Sequence, residues 1–217
     1  MQIDTIFFDL DETLYRDDNG LWDLMVGRIR LFMLERVGIR EREADELRME
    51  YLGKYGTTLR GLHVHYQVDP QEYLKFVHDI PVEKHIKRNG ELERMLQGLP
   101  QAKWIWTNAS EAHAERVLTA LGVRGHFRGI IDIEAMQFQN KPQIAAYTTA
   151  LKMAEQIEIG RALFIDDRVV NLEPAADLGA RTVWVGSQEP HPAAEFSIQH
   201  VEELIQVMPE LAERQDA

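Results

Sequence analysis

The sequence predicts an α/β protein: a parallel sheet with helices on both faces, carrying a small all-helical domain inserted after the first strand. Three observations predict it. From residue 102 to residue 208, short apolar runs alternate with helical patterns, which is how a parallel sheet with helical crossovers reads. The stretch Ile6-Phe7-Phe8 has the same unbroken apolar character and fits a strand buried on both faces. Between the two, residues 16–97 carry helical patterns and no strand-like run. The expected division is a core of residues 1–15 and 98–217 and a helical domain of residues 16–97.

The first strand ends on Asp9-Leu10-Asp11-Glu12-Thr13-Leu14-Tyr15. A polar, turn-rich linker, Arg16-Asp17-Asp18-Asn19-Gly20, follows. Residues 22–37 then repeat apolar positions at helical spacing, with Gly38 as a stop. A second helix is expected over residues 41–54, ending at Gly56. Asp69-Pro70-Gln71-Glu72 opens a third, with Asp69 as N-cap and Pro70 in the first turn. A fourth covers residues 90–96. Strands return with Ala102 to Trp106, Gly129 to Ile133, Arg161 to Ile165 and Arg181 to Gly186. Helices are expected over residues 111–121, from Lys141-Pro142 onward, over 171–178 and over 201–208. The tail 213–217 is expected to fray.

Composition narrows the function. The chain has 217 residues, 45% hydrophobic and 28% charged, with a net charge of −12. That sign argues against a broad surface for a nucleic-acid polymer or anionic lipid. An anionic substrate needs a local positive spot instead: a metal, a lysine or backbone amides. With no cysteine, disulfides, a thiolate nucleophile and cysteine-ligated zinc are excluded. No apolar stretch is long enough to span a bilayer, and no basic, apolar leader precedes the first strand. The expectation is a cytoplasmic chain without membrane contact.

Chemistry concentrates at strand ends. These are Asp9 and Asp11, Thr107 and Asn108, Asp166 and Asp167, with Lys141 just before a helix. In a parallel sheet all such ends face one side, where ligands bind. Two carboxylates held there are unfavourable without a cation or a proton. The set holds a nucleophile, an acid/base group, carboxylates for a hard cation, a hydroxyl and a fixed positive charge, which together suit phosphoryl transfer.

These motifs, in this order, resemble the haloacid dehalogenase superfamily of phosphohydrolases. Asp9-Leu10-Asp11-Glu12-Thr13 matches the first motif and Trp106-Thr107-Asn108 the second. Lys141-Pro142 matches the third, and Ile165-Asp166-Asp167 with Asn171 downstream matches the fourth. The likeness implies a Rossmann-like core and makes residues 16–97 the helical cap. Asn140 departs from many relatives, which have glycine there. Tyr55-Gly56-Thr57-Thr58-Leu59-Arg60-Gly61-Leu62, with Leu10 to Tyr15, is similar to the pyrimidine 5′-nucleotidase group. That implies a phosphatase for nucleoside monophosphates such as UMP and CMP. On physics alone the octapeptide reads equally well as a helix stop and a turn.

The resemblance assigns roles. Asp9 is the nucleophile and Asp11 the proton donor and acceptor. Magnesium sits on the side chains of Asp9 and Asp166 and the carbonyl of Asp11, with Asp167 either a further ligand, a support or a loop N-cap. Thr107 and the Asn108 amide hold phosphate oxygens, Lys141 neutralises charge, Thr13 buttresses the turn, and Arg60 is the cap residue expected to touch substrate. The chain is expected to work as a monomer or homodimer. Within the superfamily, a sugar-phosphate phosphatase or a phosphomutase is the nearest rival. A dehalogenase does not need the second acid, Asp11. A receiver-like switch, which would bind rather than catalyse, lacks the large insert. A silent nucleotide-binding relative is at odds with the intact polar set. His63 and His65 have no third ligand nearby and read as surface groups. Trp104 and Trp106 read as core, and residues 40–50 as a solvated helix face.

Overall fold

The structure is a computed structural model, which describes residues 2–16, 20–155 and 157–212. The expected linker at residues 17–19 and the tail 213–217 lie outside the described residues. Six strands form one all-parallel sheet in the order β3-β2-β1-β4-β5-β6. They are β1 (Thr5–Phe8), β2 (Ala102–Trp106), β3 (Gly129–Ile131), β4 (Ala162–Asp166), β5 (Arg181–Val185) and β6 (Phe196–Ile198). This is the Rossmann-like order, and strand order reverses between β1 and β4. The crevice at such a switch point is where open α/β sheets bind ligands.

β1 is buried along its whole length. It pairs with β2 on one side, Phe8 opposite Ile105, and with β4 on the other, Phe8 opposite Ile165. The Phe7 and Phe164 rings stack at 4.8 Å, and Trp106 meets Phe164 edge-on at 5.1 Å. Trp106 is a core residue, as its alternation with Trp104 suggested. Apolar packing therefore fixes the three strand ends that carry Asp9, Thr107 and Asp166 relative to one another.

The inserted segment holds α1 (Leu21–Phe32), α2 (Glu41–Tyr55), α3 (Thr58–Tyr66), α4 (Pro70–Val77), α5 (Val82–His85) and α6 (Gly90–Gln97). A π-helical turn, Met33–Val37, extends α1 to the Gly38 stop. Asp69 caps α4 as expected, accepting from the Gln71 amide at 2.9 Å. Helices α1, α2, α3 and α4 pack among themselves. By contrast, α5 packs on α7 (Glu111–Leu121), and α6 packs on the 3-10 turn Val201–Glu203 near the carboxyl end of the chain. The core is completed by α8 (Ile144–Met153), α9 (Val169–Asp177) and α10 (Leu204–Val207). Among the described residues no helix is long and apolar enough to cross a membrane.

Several expectations on the elements need correction. The octapeptide 55–62 is a helix stop at Gly56 followed at once by α3, not by a loose turn, because the Thr57 hydroxyl caps the new helix through the Arg60 amide at 3.1 Å. The helix after Lys141-Pro142 starts only at Ile144, since residues 140–143 form a turn closed by Gln143 N–H to Asn140 O at 2.9 Å. β3 stops at Ile131, because the Asp132 carboxylate turns aside to accept from the Glu111 and Ala135 amides. The expected last helix is split into a 3-10 turn and α10. β6 and α5 had no clear sequence signal: β6 is a half-exposed, three-residue edge strand and α5 a single turn.

Candidate active site

The polar groups predicted at the core strand ends meet in one place. The turn after β1 is stitched to β4 by the Asp9 amide, which donates to Ile165 O at 2.8 Å, and closed by Leu14 N–H to Leu10 O at 3.0 Å. Glu12 in this turn has φ of 64°, a left-handed conformation that strains a residue bearing a side chain. Thr13 does more than buttress the turn, since its hydroxyl donates to Asp9 Oδ2 at 3.2 Å.

Lys141 is 1% exposed and all three of its ammonium protons are engaged. They reach Asp9 Oδ1 at 2.6 Å, Asp166 Oδ2 at 2.7 Å and Trp106 O at 2.9 Å. Burial alone pushes the Lys141 pKa down, but Asp166 and Asp9 outweigh it and hold it above the ordinary lysine value. The other oxygen of Asp166 accepts from the Arg168 amide and from Asn171 Nδ2, both at 2.9 Å. Asn108 secures the lysine's backbone: its Oδ1 accepts from Lys141 N–H at 2.8 Å and its Nδ2 donates to Lys141 O at 3.2 Å. Thr107 is buried, and its Oγ1 accepts from the Ala109 amide at 3.0 Å.

Asp9, Asp166 and Asp167 each bring a carboxylate oxygen within 4.8 Å of the other two. Three carboxyls thus lie together, with one ammonium that contacts two of them. Burial pushes the Asp9 pKa up to about 7 against the pull of Lys141, with Asp166 adding to the rise. Asp167 is driven well above the carboxylate range by burial and by the charges of Asp166 and Asp9. A divalent cation between them fits this set: hard oxygen donors, close together, carrying more negative charge than the protein itself neutralises.

Asp11 stands apart from the lysine. Its Oδ1 accepts from the Tyr15 hydroxyl at 2.6 Å and from His113 Nε2 at 2.8 Å. Burial pushes its pKa up, but His113 and Tyr15 outweigh that and hold it below the usual carboxylate value. His113 is 1% exposed, and its ring stacks on His78 at 4.4 Å. Burial lowers the His78 pKa to about 3, so that ring is neutral, and its Nδ1 is hydrogen-bonded to the Ser110 hydroxyl at 2.8 Å. Sequence reasoning missed His113 and His78. The available signal for His113 was its place in the first turn of the helix that follows the Thr107 strand end.

The site opens into a partly open cavity of about 160 Å³ between core and insert. Its floor carries Asp9, Asp11, Thr107, Asn108, Lys141 and Asp167; its walls are Trp22, Met25, Ile29, Leu52, Leu59, Tyr73, Leu74 and Val77, with Arg48 and His78. Arg60, the expected cap contact, does not line it. His63 and His65 are occupied elsewhere, with Val68 O at 2.9 Å and the Tyr55 hydroxyl at 2.8 Å. Two hydrogen bonds tie the insert down at the rim: Arg168 Nη1 to Gly56 O at 2.9 Å and Asn140 Nδ2 to Tyr55 O at 2.8 Å. A hydrogen in place of a side chain at Gly56 is required there, since a Cβ would stand 2.5 Å from Lys141 O.

A parallel sheet with a helical insert after its first strand and a carboxylate–lysine centre at the switch point defines the class. The chain belongs to the haloacid dehalogenase-like hydrolases, whose family pattern it matches over residues 3–179. Among curated proteins it is 30% identical over 188 residues to Phosphate metabolism protein 8 of Saccharomyces cerevisiae, an alignment that takes in 80% of this chain and 58% of that one. The chain therefore spans less than two thirds of that relative's length. Among solved structures, a phosphatase of this family from Thermococcus onnurineus superposes with a TM-score of 0.64 at 18% identity, covering 96% of this chain and 98% of that one. β-Phosphoglucomutase from Clostridium difficile superposes with a TM-score of 0.62 at 18% identity, covering 97% of each. At these identities the likeness to solved structures is one of fold.

Proposed function

We propose that this chain is a magnesium-dependent phosphatase that hydrolyses nucleoside 5′-monophosphates, pyrimidine nucleotides such as UMP and CMP foremost, through an aspartyl-phosphate on Asp9. The observation that carries the reading is the separation of the two aspartates. Asp9 is gripped by Lys141 beside two further carboxylates, whereas Asp11 is held by His113 and Tyr15. One is arranged to attack, the other to handle a proton.

Asp9 attacks phosphorus while the bond to the leaving oxygen breaks. Asp11 donates its proton to that oxygen. A phosphate dianion beside Asp11 raises its proton affinity, as any neighbouring negative charge does, and so supplies the protonated form. Asp11 then takes a proton from water, which attacks the phosphorus of the aspartyl-phosphate and frees Asp9 and phosphate. Thr107 and the Asn108 amide hold the phosphoryl oxygens, and Lys141 neutralises charge on Asp9 and the transferring phosphoryl group. Magnesium would be held by Asp9, Asp166, Asp167 and the Asp11 carbonyl, where it offsets the repulsion between an anionic nucleophile and an anionic phosphate.

The packing supports a helical cap running from residue 16 to about residue 80 rather than to 97, because α5 and α6 lie on the core. The mostly apolar walls favour a leaving group that carries a flat base over one that is a sugar alone, since a base buries its faces against them.

Two measurements test the reading. Phosphate release is measured with UMP, CMP, dTMP, AMP, GMP and several sugar phosphates in magnesium; the pyrimidine nucleotides are expected to give the highest kcat/KM. A clear preference for a sugar phosphate refutes the substrate and leaves the chemistry standing. Chelation with EDTA is expected to bring turnover to background and added magnesium to restore it; undiminished turnover in EDTA refutes the metal.

A further inference from the structure

Arg48 lies on α2, in the stretch where Arg30, Arg40 and Arg42 pair with Glu41, Asp45 and Glu43 at the surface. Its own situation is different. Its Nε–H is shut off from solvent and has no hydrogen-bond partner. Its polar contact is Nη2 to the Met49 sulfur at 3.4 Å, and a thioether is a weak acceptor. Among the described residues no carboxylate pairs with it, although the chain holds 36 Asp and Glu against 24 Lys and Arg. Arginine donates only, and a desolvated N–H left unpaired is unfavourable.

The group is not idle surface, because Arg48 lines the cavity that holds Asp9 and Asp11. Its charge acts on the buried Tyr73 hydroxyl in the insert, whereas Lys141, Asp166, His113 and Tyr15 dominate around the two aspartates. Much of the lining is apolar, with Met25, Ile29 and Leu59 among it.

We propose that Arg48 is a specificity residue whose terminal guanidinium N–H groups donate to an acceptor oxygen on the leaving group, a base carbonyl in a pyrimidine nucleotide. The inference rests on the phosphatase reading above. It names the substrate class as phosphate monoesters whose leaving group carries an acceptor oxygen within reach of the insert, as the base of a nucleoside does. It also moves the cap's recognition role from Arg60 to Arg48.

The test is a ratio. UMP is compared with phenyl phosphate, whose leaving group has no distal acceptor, in the full chain and in Arg48→Met and Arg48→Lys. Arg48→Met is expected to lower the UMP-to-phenyl-phosphate ratio of kcat/KM by about tenfold or more, chiefly through KM for UMP, with Arg48→Lys intermediate. An unchanged ratio overturns the inference. So does an equal loss on both substrates, which would put Arg48 on the phosphoryl group or in the fold. A wild-type preference for a sugar phosphate defeats the nucleotide reading by itself; the ratio is then taken between that sugar phosphate and phenyl phosphate and judges Arg48 by the same rule. A wild-type chain inactive on all of these compounds overturns both.

Discussion

Asp9→Asn is expected to lower phosphate release by at least about a thousandfold while leaving the fold intact, because the attacking oxygen is lost and the side chain's shape is kept. The amide keeps one oxygen for Lys141, which still has Asp166 at 2.7 Å and Trp106 O at 2.9 Å. It also removes a charge from a cluster in which burial and Asp166 already push the Asp9 pKa up to about 7. Metal-free stability should therefore hold or rise. Steady-state phosphate release with thermal unfolding in EDTA checks both halves. A variant that turns over at the wild-type rate means that Asp9 is not the nucleophile; one that fails to fold means that the amide cannot replace the carboxylate in the packing.

The second large effect is expected from Lys141→Met. The ammonium is buried and contacts two carboxylates and a carbonyl. Taking one partner from a buried ion pair costs about 3–5 kcal/mol, since the charge left behind is desolvated and unpaired. Here part of that loss is relieved when Asp9 takes up a proton, so the lower end is expected. Turnover should fall with it, as the nucleophile would be neutralised or misplaced. Magnesium should stabilise the variant more than the parent, because a bound cation takes over the neutralising role. Unfolding midpoints with EDTA and with magnesium test this. A variant as stable as the parent in EDTA would show that the lysine's contacts carry little of the fold.

The core of the site was legible in the sequence for a physical reason. Asp9, Thr107 and Asp166 each follow an apolar strand directly, and a parallel sheet leaves those ends only one edge to share. Lys141 had weaker grounds, since a lysine before a proline ordinarily faces water, and only its membership of the set singled it out. His113 was hidden because it reaches Asp11 across 102 positions of chain, through the adjacency of β2 to β1. Arg48 was hidden by its neighbours: the charged stretch around it mostly faces water, as its composition says, and helical rotation turns Arg48 inward with Ala44 and Leu47. Arg60 drew attention through the octapeptide, in which the structural demand falls instead on Gly56 at the cap–core contact.

Gly56 carries a consequence for timing. The insert's turn rests against the backbone of Lys141, and two hydrogen bonds, from Asn140 and Arg168, hold it there. Further bonds join insert and core, His78 with the Ser110 hydroxyl at 2.8 Å and Arg116 Nη1 with His78 O at 3.2 Å among them. Swinging the insert away to admit substrate or release phosphate, a motion of the microsecond-to-millisecond kind, has to break these contacts together. The residue that grips the nucleophile is thus also the doorstop, and its backbone registers whether the door is closed.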